Sequence, residues 1–172
     1  MVGWLALSRS QNAGATSSVA EIFGRGLLIG CIAGIASLLF FAEIYTRLGS
    51  RIGGTSVRNQ VIHVLAYGGV PVAASLGLWL LIALIAGRAT FMQAPGPEVE
   101  SFVALLVNAV FIAYVLLTIW SVVLQVMGFS EIQRLSTRKA FGLWALGQLI
   151  GVLAALILTL LIIMLFPNAF TS

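Results

Sequence analysis

The sequence predicts an all-α polytopic membrane protein, a bundle of four transmembrane helices. Three observations carry that reading. Four long apolar runs divide the chain. The composition is 60% hydrophobic and 8% charged, with a mean hydropathy of +1.11. The basic residues gather in the first and third gaps between the runs. A water-soluble domain carries about 25% charged residues because its surface meets water. Most of this surface must therefore meet lipid, and 172 residues suffice for one domain.

A hydrocarbon layer about 30 Å thick requires about 20 helical residues. Residues 26–45 meet that length, and residues 61–87, 102–127 and 140–166 exceed it, so tilt is expected. Helices are predicted because an unclosed strand would leave backbone groups unpaired in lipid. Barrel strands would also be shorter and would alternate in polarity. The breaks agree with this division. Gly53-Gly54 follows span 1, and Thr55 or Ser56 is expected to cap the next helix. Pro95-Gly96-Pro97 precedes span 3, Gly128 is expected to end it as a left-handed cap, Ser136 to cap span 4, and Pro167 to stop it. Residues 1–18 form a weakly apolar, then small and polar tail, expected at the interface with Trp4 as an anchor; residues 19–172 form the membrane domain. The tail has no basic start leading into an apolar stretch and a cleavage site, so a cleaved signal peptide is not expected.

Nine basic residues against five acids, all Glu, give a net charge of +4. The charges sit in short loops beside apolar spans, with no aromatic-basic face for stacking bases, so nucleic acid is not the expected partner. Membrane lipid, anionic lipid included, is. Loop one carries Arg47, Arg51 and Arg58, and loop three carries Arg134, Arg138 and Lys139. The other side holds only Arg9, Arg25 and Arg88. Positive charge is retained in the cytoplasm. Loops one and three are therefore expected there, with both termini opposite. Arg138 and Lys139 lie in the first turn of span 4, where the helix dipole disfavours cations, so orientation or lipid headgroups would select them rather than helix stability.

In lipid, helices associate where small residues allow close approach. Span 1 has Gly26, Gly30 and Gly34 at four-residue intervals, extended by Ala33 and Ser37, and span 4 has Gly147 and Gly151. These are the expected helix-docking positions, within the chain or toward a partner. Pro71 should kink span 2, because it cannot donate to the Tyr67 carbonyl. A static kink filled by neighbouring helices is expected, with a transport site as the alternative.

Glu43, one turn before Arg47, is the most suggestive ionisable residue, since a carboxylate in a membrane is a candidate functional group. The spacing favours an ion pair with Arg47 over proton or ion handling. Glu21 and Arg25 repeat that spacing and read as an interfacial pair. His63, one turn before Tyr67, reads as an interfacial histidine, because a lone His binds haem or metal only with outside help. Asn108, Thr118, Gln125 and Gln148 are expected to hydrogen-bond between helices rather than to line a polar path. Glu98 and Glu100 read as loop acids. With one His and no Asp, a Ser-His-Asp set is impossible within the chain. No zinc-protease, phosphate-loop or dinucleotide motif is present. Cys31 is alone, which rules out an intrachain disulfide. No catalytic residue, cofactor or metal is expected.

Together these residues resemble the Ypt-interacting-protein (Yip) family of multispanning membrane proteins. The resemblance is carried by Gly53-Gly54 after a span, Ala66-Tyr67 and Pro71 in the next, then Trp120, Gly128, and Ser136 with Lys139-Ala140 opening the last span. It covers about residues 26–166. The family is drawn with five spans and a cytoplasmic N-terminus, and the four spans here are expected to match its last four. The resemblance implies that the Gly-Gly and Ser-x-x-Lys-Ala loops face the cytoplasm, the side that the charge count also gives. Eukaryotic members are linked to Rab-type GTPases and vesicle traffic. The resemblance implies a membrane adaptor or scaffold and no catalytic residue. The expected function is a non-catalytic scaffold, adaptor or accessory subunit that docks other transmembrane proteins. The alternative is a small transporter or channel using the Pro71 kink with Glu43 or the polar residues of span 3.

Overall fold

A computed structural model describes residues 2–92 and 97–165, with the side chains of residues 2–4, 6, 97–100 and 162 outside that description. The expected positions at Pro95, Gly96, Phe166 and Pro167, and the side chains of Trp4, Glu98 and Glu100, therefore lie outside the described residues. The chain is all-α. Helix α1 spans Val2–Ser10, α2 Val19–Arg51, α3 Arg58–Ala86, α4 Pro97–Ile132 and α5 Thr137–Leu165, with short 3-10 turns at Ala13–Ala15 and Gly87–Phe91. Helices α2 to α5 each contain a segment long and apolar enough to cross a membrane, so the chain is a multi-pass integral membrane protein.

Helices α2 and α4 outlast at both ends the apolar runs that announced them, and α3 and α5 begin before theirs. The 33 residues of α2 extend about 50 Å, well beyond a hydrocarbon core of about 30 Å. Helix geometry continues past the point where hydropathy falls, until a specific stop is reached. For α2 that stop is Gly53, at φ +90°. The Gly53 amide donates to the Ser50 carbonyl at 3.4 Å and the Gly54 amide to the Gly49 carbonyl at 2.8 Å, the pair of bonds that closes a Schellman end. Helix α4 ends in the same way, but not at Gly128. It continues to Ile132, and the left-handed residue is Arg134, at φ 52°. The Leu135 amide then reaches the Ser130 carbonyl at 3.0 Å, and the Arg134 amide reaches Glu131 at 3.2 Å. Gly128 serves packing instead, since a Cβ there would crowd Val64.

The helix starts also correct the sequence reading. Neither Thr55 nor Ser56 precedes α3 directly. Val57 does, and the Gln60 side chain reaches back to accept its amide at 3.2 Å. Glu98 and Glu100 lie in the first turn of α4, not in a loop, because Pro97 suits a first helical position. Glu21 feels the charge of Arg25, but its direct hydrogen bonds are to Ser18. Its carboxylate accepts the Ser18 amide at 2.8 Å while the Glu21 amide donates to the Ser18 hydroxyl at 3.2 Å, a reciprocal cap at the start of α2.

The chain divides into two compact units, residues 1–38 with 65–125, and residues 39–64 with 126–172. In the first, Leu5 of α1 is fully buried with Ile22, Trp79, Ile82, Ala83, Phe91 and Val110. The Phe91 ring stacks with Trp79 and meets Phe23 edge-on. Arg9 fastens α1 by donating to the Thr90 carbonyl at 2.8 Å. The N-terminal segment thus folds onto the first unit through Leu5. Also in this unit, residues 31–37 of α2 are exposed in succession, on every side of the helix. In the second unit, Ala42, Tyr45, Val61, Val126, Phe129, Ala140 and Leu143 are buried.

Candidate functional site

The two basic turns of the second unit are held together by one amide. Gln133, 1% exposed, lies in the turn between the end of α4 at Ile132 and the left-handed Arg134. Its Nε2 donates to the Tyr45 carbonyl in α2 at 3.2 Å. The amide lies against Gly49 and Gly54, and a Cβ on either glycine would overlap it. These glycines let a polar side chain reach a helix carbonyl that larger residues would cover. Loops one and three are therefore neighbours within this unit.

Their charges are unevenly compensated. Glu43 accepts Arg47 Nε at 2.5 Å and lies 3.7 Å from Arg58 Nε. The expected Glu43–Arg47 pair is present, and the structure adds Arg58 from the far side of the turn. Arg51, Arg134, Arg138 and Lys139 are exposed and have no acid partner among the described residues. All six basic residues of loops one and three fall in this unit.

The glycines of span 4 have specific occupants. A Cβ at Gly147 would overlap the Tyr45 ring, and one at Gly151 the Phe41 ring. Position 45 faces 147 and position 41 faces 151, so α2 and α5 run antiparallel here with aromatic rings seated on glycine. The Tyr45 hydroxyl donates to the Trp144 carbonyl at 3.1 Å and accepts from Gln148 Nε2 at 3.1 Å. Of the polar residues expected to bridge helices, Gln148 does so. Thr118 bonds back to Tyr114 in its own helix, while Gln125 bonds Ser121 and lies against Gly68 of α3. Asn108 is exposed.

The glycines of span 1 are not equivalent. Gly26 is buried and Gly30 half-buried, while Gly34 is exposed and a Cβ there would meet nothing within 4 Å. In the first unit, Pro71 lies inside α3 without ending it. Three residues earlier, the Gly68 carbonyl accepts the buried Ser121 hydroxyl of α4, and a Cβ on Gly68 would strike Gln125. The neighbouring helix α4 thus packs within one turn of the proline. His63 and Tyr67 are both exposed. Among the described residues, no three His, Cys, Asp or Glu side chains gather as a metal site would require.

Sequence reasoning missed Gln133, Tyr45 and Ser121. Gln133 sits in a polar stretch that reads as solvated. The available signal was its counterpart, Gly49 and Gly54 in a turn, which implied a close neighbour. No family model, no curated protein and no solved structure matches this chain.

Proposed function

We propose that this chain is a non-catalytic membrane scaffold or adaptor that docks a transmembrane helix of another protein against α2. The observation that carries the reading is the bare middle of α2, where residues 31–37 are exposed in succession and Gly34 opens onto empty space. Gly30, Ala33, Gly34 and Ser37 fall on one side of the helix at three- and four-residue spacing. A second backbone would come close enough there for dispersion contacts that larger residues forbid. The resemblance to the Yip family supports the same adaptor role. So does the engagement of Glu43 with Arg47 and Arg58, which favours an interfacial ion pair over ion handling. In this reading the basic turns face the cytoplasm and both termini lie opposite.

The test is purification in mild detergent with identification of bound proteins. A fixed partner is expected, and Gly34→Leu should release it. The Cβ at that site meets nothing in the chain, so the melting temperature should not fall. A partner retained by Gly34→Leu overturns the docking face. Proton or solute flux through liposomes containing this chain alone, abolished by Glu43→Gln, overturns the scaffold reading itself.

A further inference from the structure

We propose that the second unit contains a site for one anionic phospholipid, in a groove between the C-terminal end of α2 and the N-terminal end of α5. The groove has a volume of about 680 Å³ and is lined by Leu48, Arg51, Ile52, Lys139, Gly142, Leu143 and Leu146. Its chemistry is graded along its length. Arg51 ends α2 and Lys139 lies in the first turn of α5, so antiparallel packing brings both cations to one end. Leu146 lies seven residues further along α5, about 10 Å deeper at 1.5 Å per residue. One end therefore offers two positive charges and the other an aliphatic floor, which is the polarity of a headgroup and its acyl chain.

Three observations favour this occupant. Arg51 and Lys139 have no acid partner among the described residues, since Glu43 is engaged by Arg47 and Arg58. Lys139 stands at the positive end of the α5 dipole, where a cation is unfavourable and an anion is welcome. The wall is open at Gly142, where a Cβ would meet nothing within 4 Å. Free phosphate would satisfy the cations but leave the leucines unused. The site differs from a diffuse basic surface in using two of the six basic residues together with a shaped apolar floor. It depends on the membrane character of the chain and not on partner docking at α2.

The test uses the full chain in neutral detergent, titrated with dioleoylphosphatidylglycerol or dioleoylphosphatidylcholine, with bound lipid counted by native mass spectrometry. One equivalent of the glycerol lipid should be retained, about tenfold more tightly than the choline lipid, as two nearby cations imply. The Arg51→Gln/Lys139→Gln double variant should lose that preference. Gly142→Leu should expel the lipid without lowering the melting temperature. Arg138→Gln, a charge removed from the same turn outside the groove, should bind as the parent does. Equal loss in Arg138→Gln would overturn the site in favour of diffuse attraction. Displacement by equimolar inorganic phosphate would overturn the lipid as occupant, and full retention in Gly142→Leu would overturn the groove as its location.

Discussion

The two units are centred on different side chains, although Ser8, Ser75, Thr90 and Ser121 are buried in the first. The first encloses large apolar side chains, with Leu5, Trp79, Ile82 and Phe91 at its centre. The second is organised around Tyr45 and Gln133, a phenol and an amide, with glycines beneath them. The difference follows from what each set of residues must do. The first unit gathers α1 and the 3-10 turns, segments outside the long apolar helices, and removing Leu5 and Phe91 from water stabilises that arrangement in the ordinary way. Between long lipid-compatible helices that driving force is largely absent, because a leucine gains little by exchanging lipid for protein. Contact there depends on close fit and on hydrogen bonds, which is what Gly147, Gly151, Gln133 and Gln148 provide.

The comparison can be broken most directly at its apolar end. Phe91→Ala should destabilise by about 4 kcal/mol, the range for emptying a buried aromatic site. Hydrogen exchange should quicken in residues 65–92 and remain slow in residues 39–51. Equal quickening in both would show that the units do not differ in what holds them. Next in size, Gly147→Leu should cost about 3 kcal/mol in thermal unfolding, because its side chain must occupy the space of the Tyr45 ring. The same replacement at Gly34 should cost nothing and could add stability through helix propensity, by about 0.5 kcal/mol. The contrast between two glycine-to-leucine changes isolates fit from composition.

Smaller effects sharpen the polar side. Gln133→Ala should cost about 2 kcal/mol, since it removes a buried hydrogen bond and leaves a gap between the two turns. Gln133→Leu should not rescue it, because the branched chain would press on Gly49 and Gly54 without reaching the Tyr45 carbonyl. Glu43→Gln should change stability by less than about 1 kcal/mol, as expected for an exposed ion pair. A larger loss, read by thermal melting at low and high salt, would place Glu43 among the structural contacts of the second unit.

The four long helices were legible because hydropathy, run length and the positions of Gly and Pro agree with one another. Their ends were less so. The α4 terminus was expected at Gly128, the residue best suited to a left-handed conformation, and occurs at Arg134, where Schellman bonding and the buried Gln133 side chain fix the turn. Capping by Ser18 and Glu21 was present in the spacing but was overshadowed by the equally regular Glu21–Arg25 interval. Gln133 was the hardest to read. An amide between Ile132 and Arg134 looks solvated until the glycines that receive it, some eighty residues earlier, are brought beside it by the fold. The glycine pair of α5 was recognised as a contact surface, but its occupants, Phe41 and Tyr45, follow only from the antiparallel register.

The exposed stretch of α2 has a practical corollary. Cys31 is the sole cysteine and lies in that stretch, three residues before Gly34. A hydrocarbon-soluble maleimide bearing a photoreactive group would thus attach at one known spot without any engineered replacement. Whatever molecule comes alongside in the native bilayer, acyl chain or foreign polypeptide, would be captured there and identified by its mass.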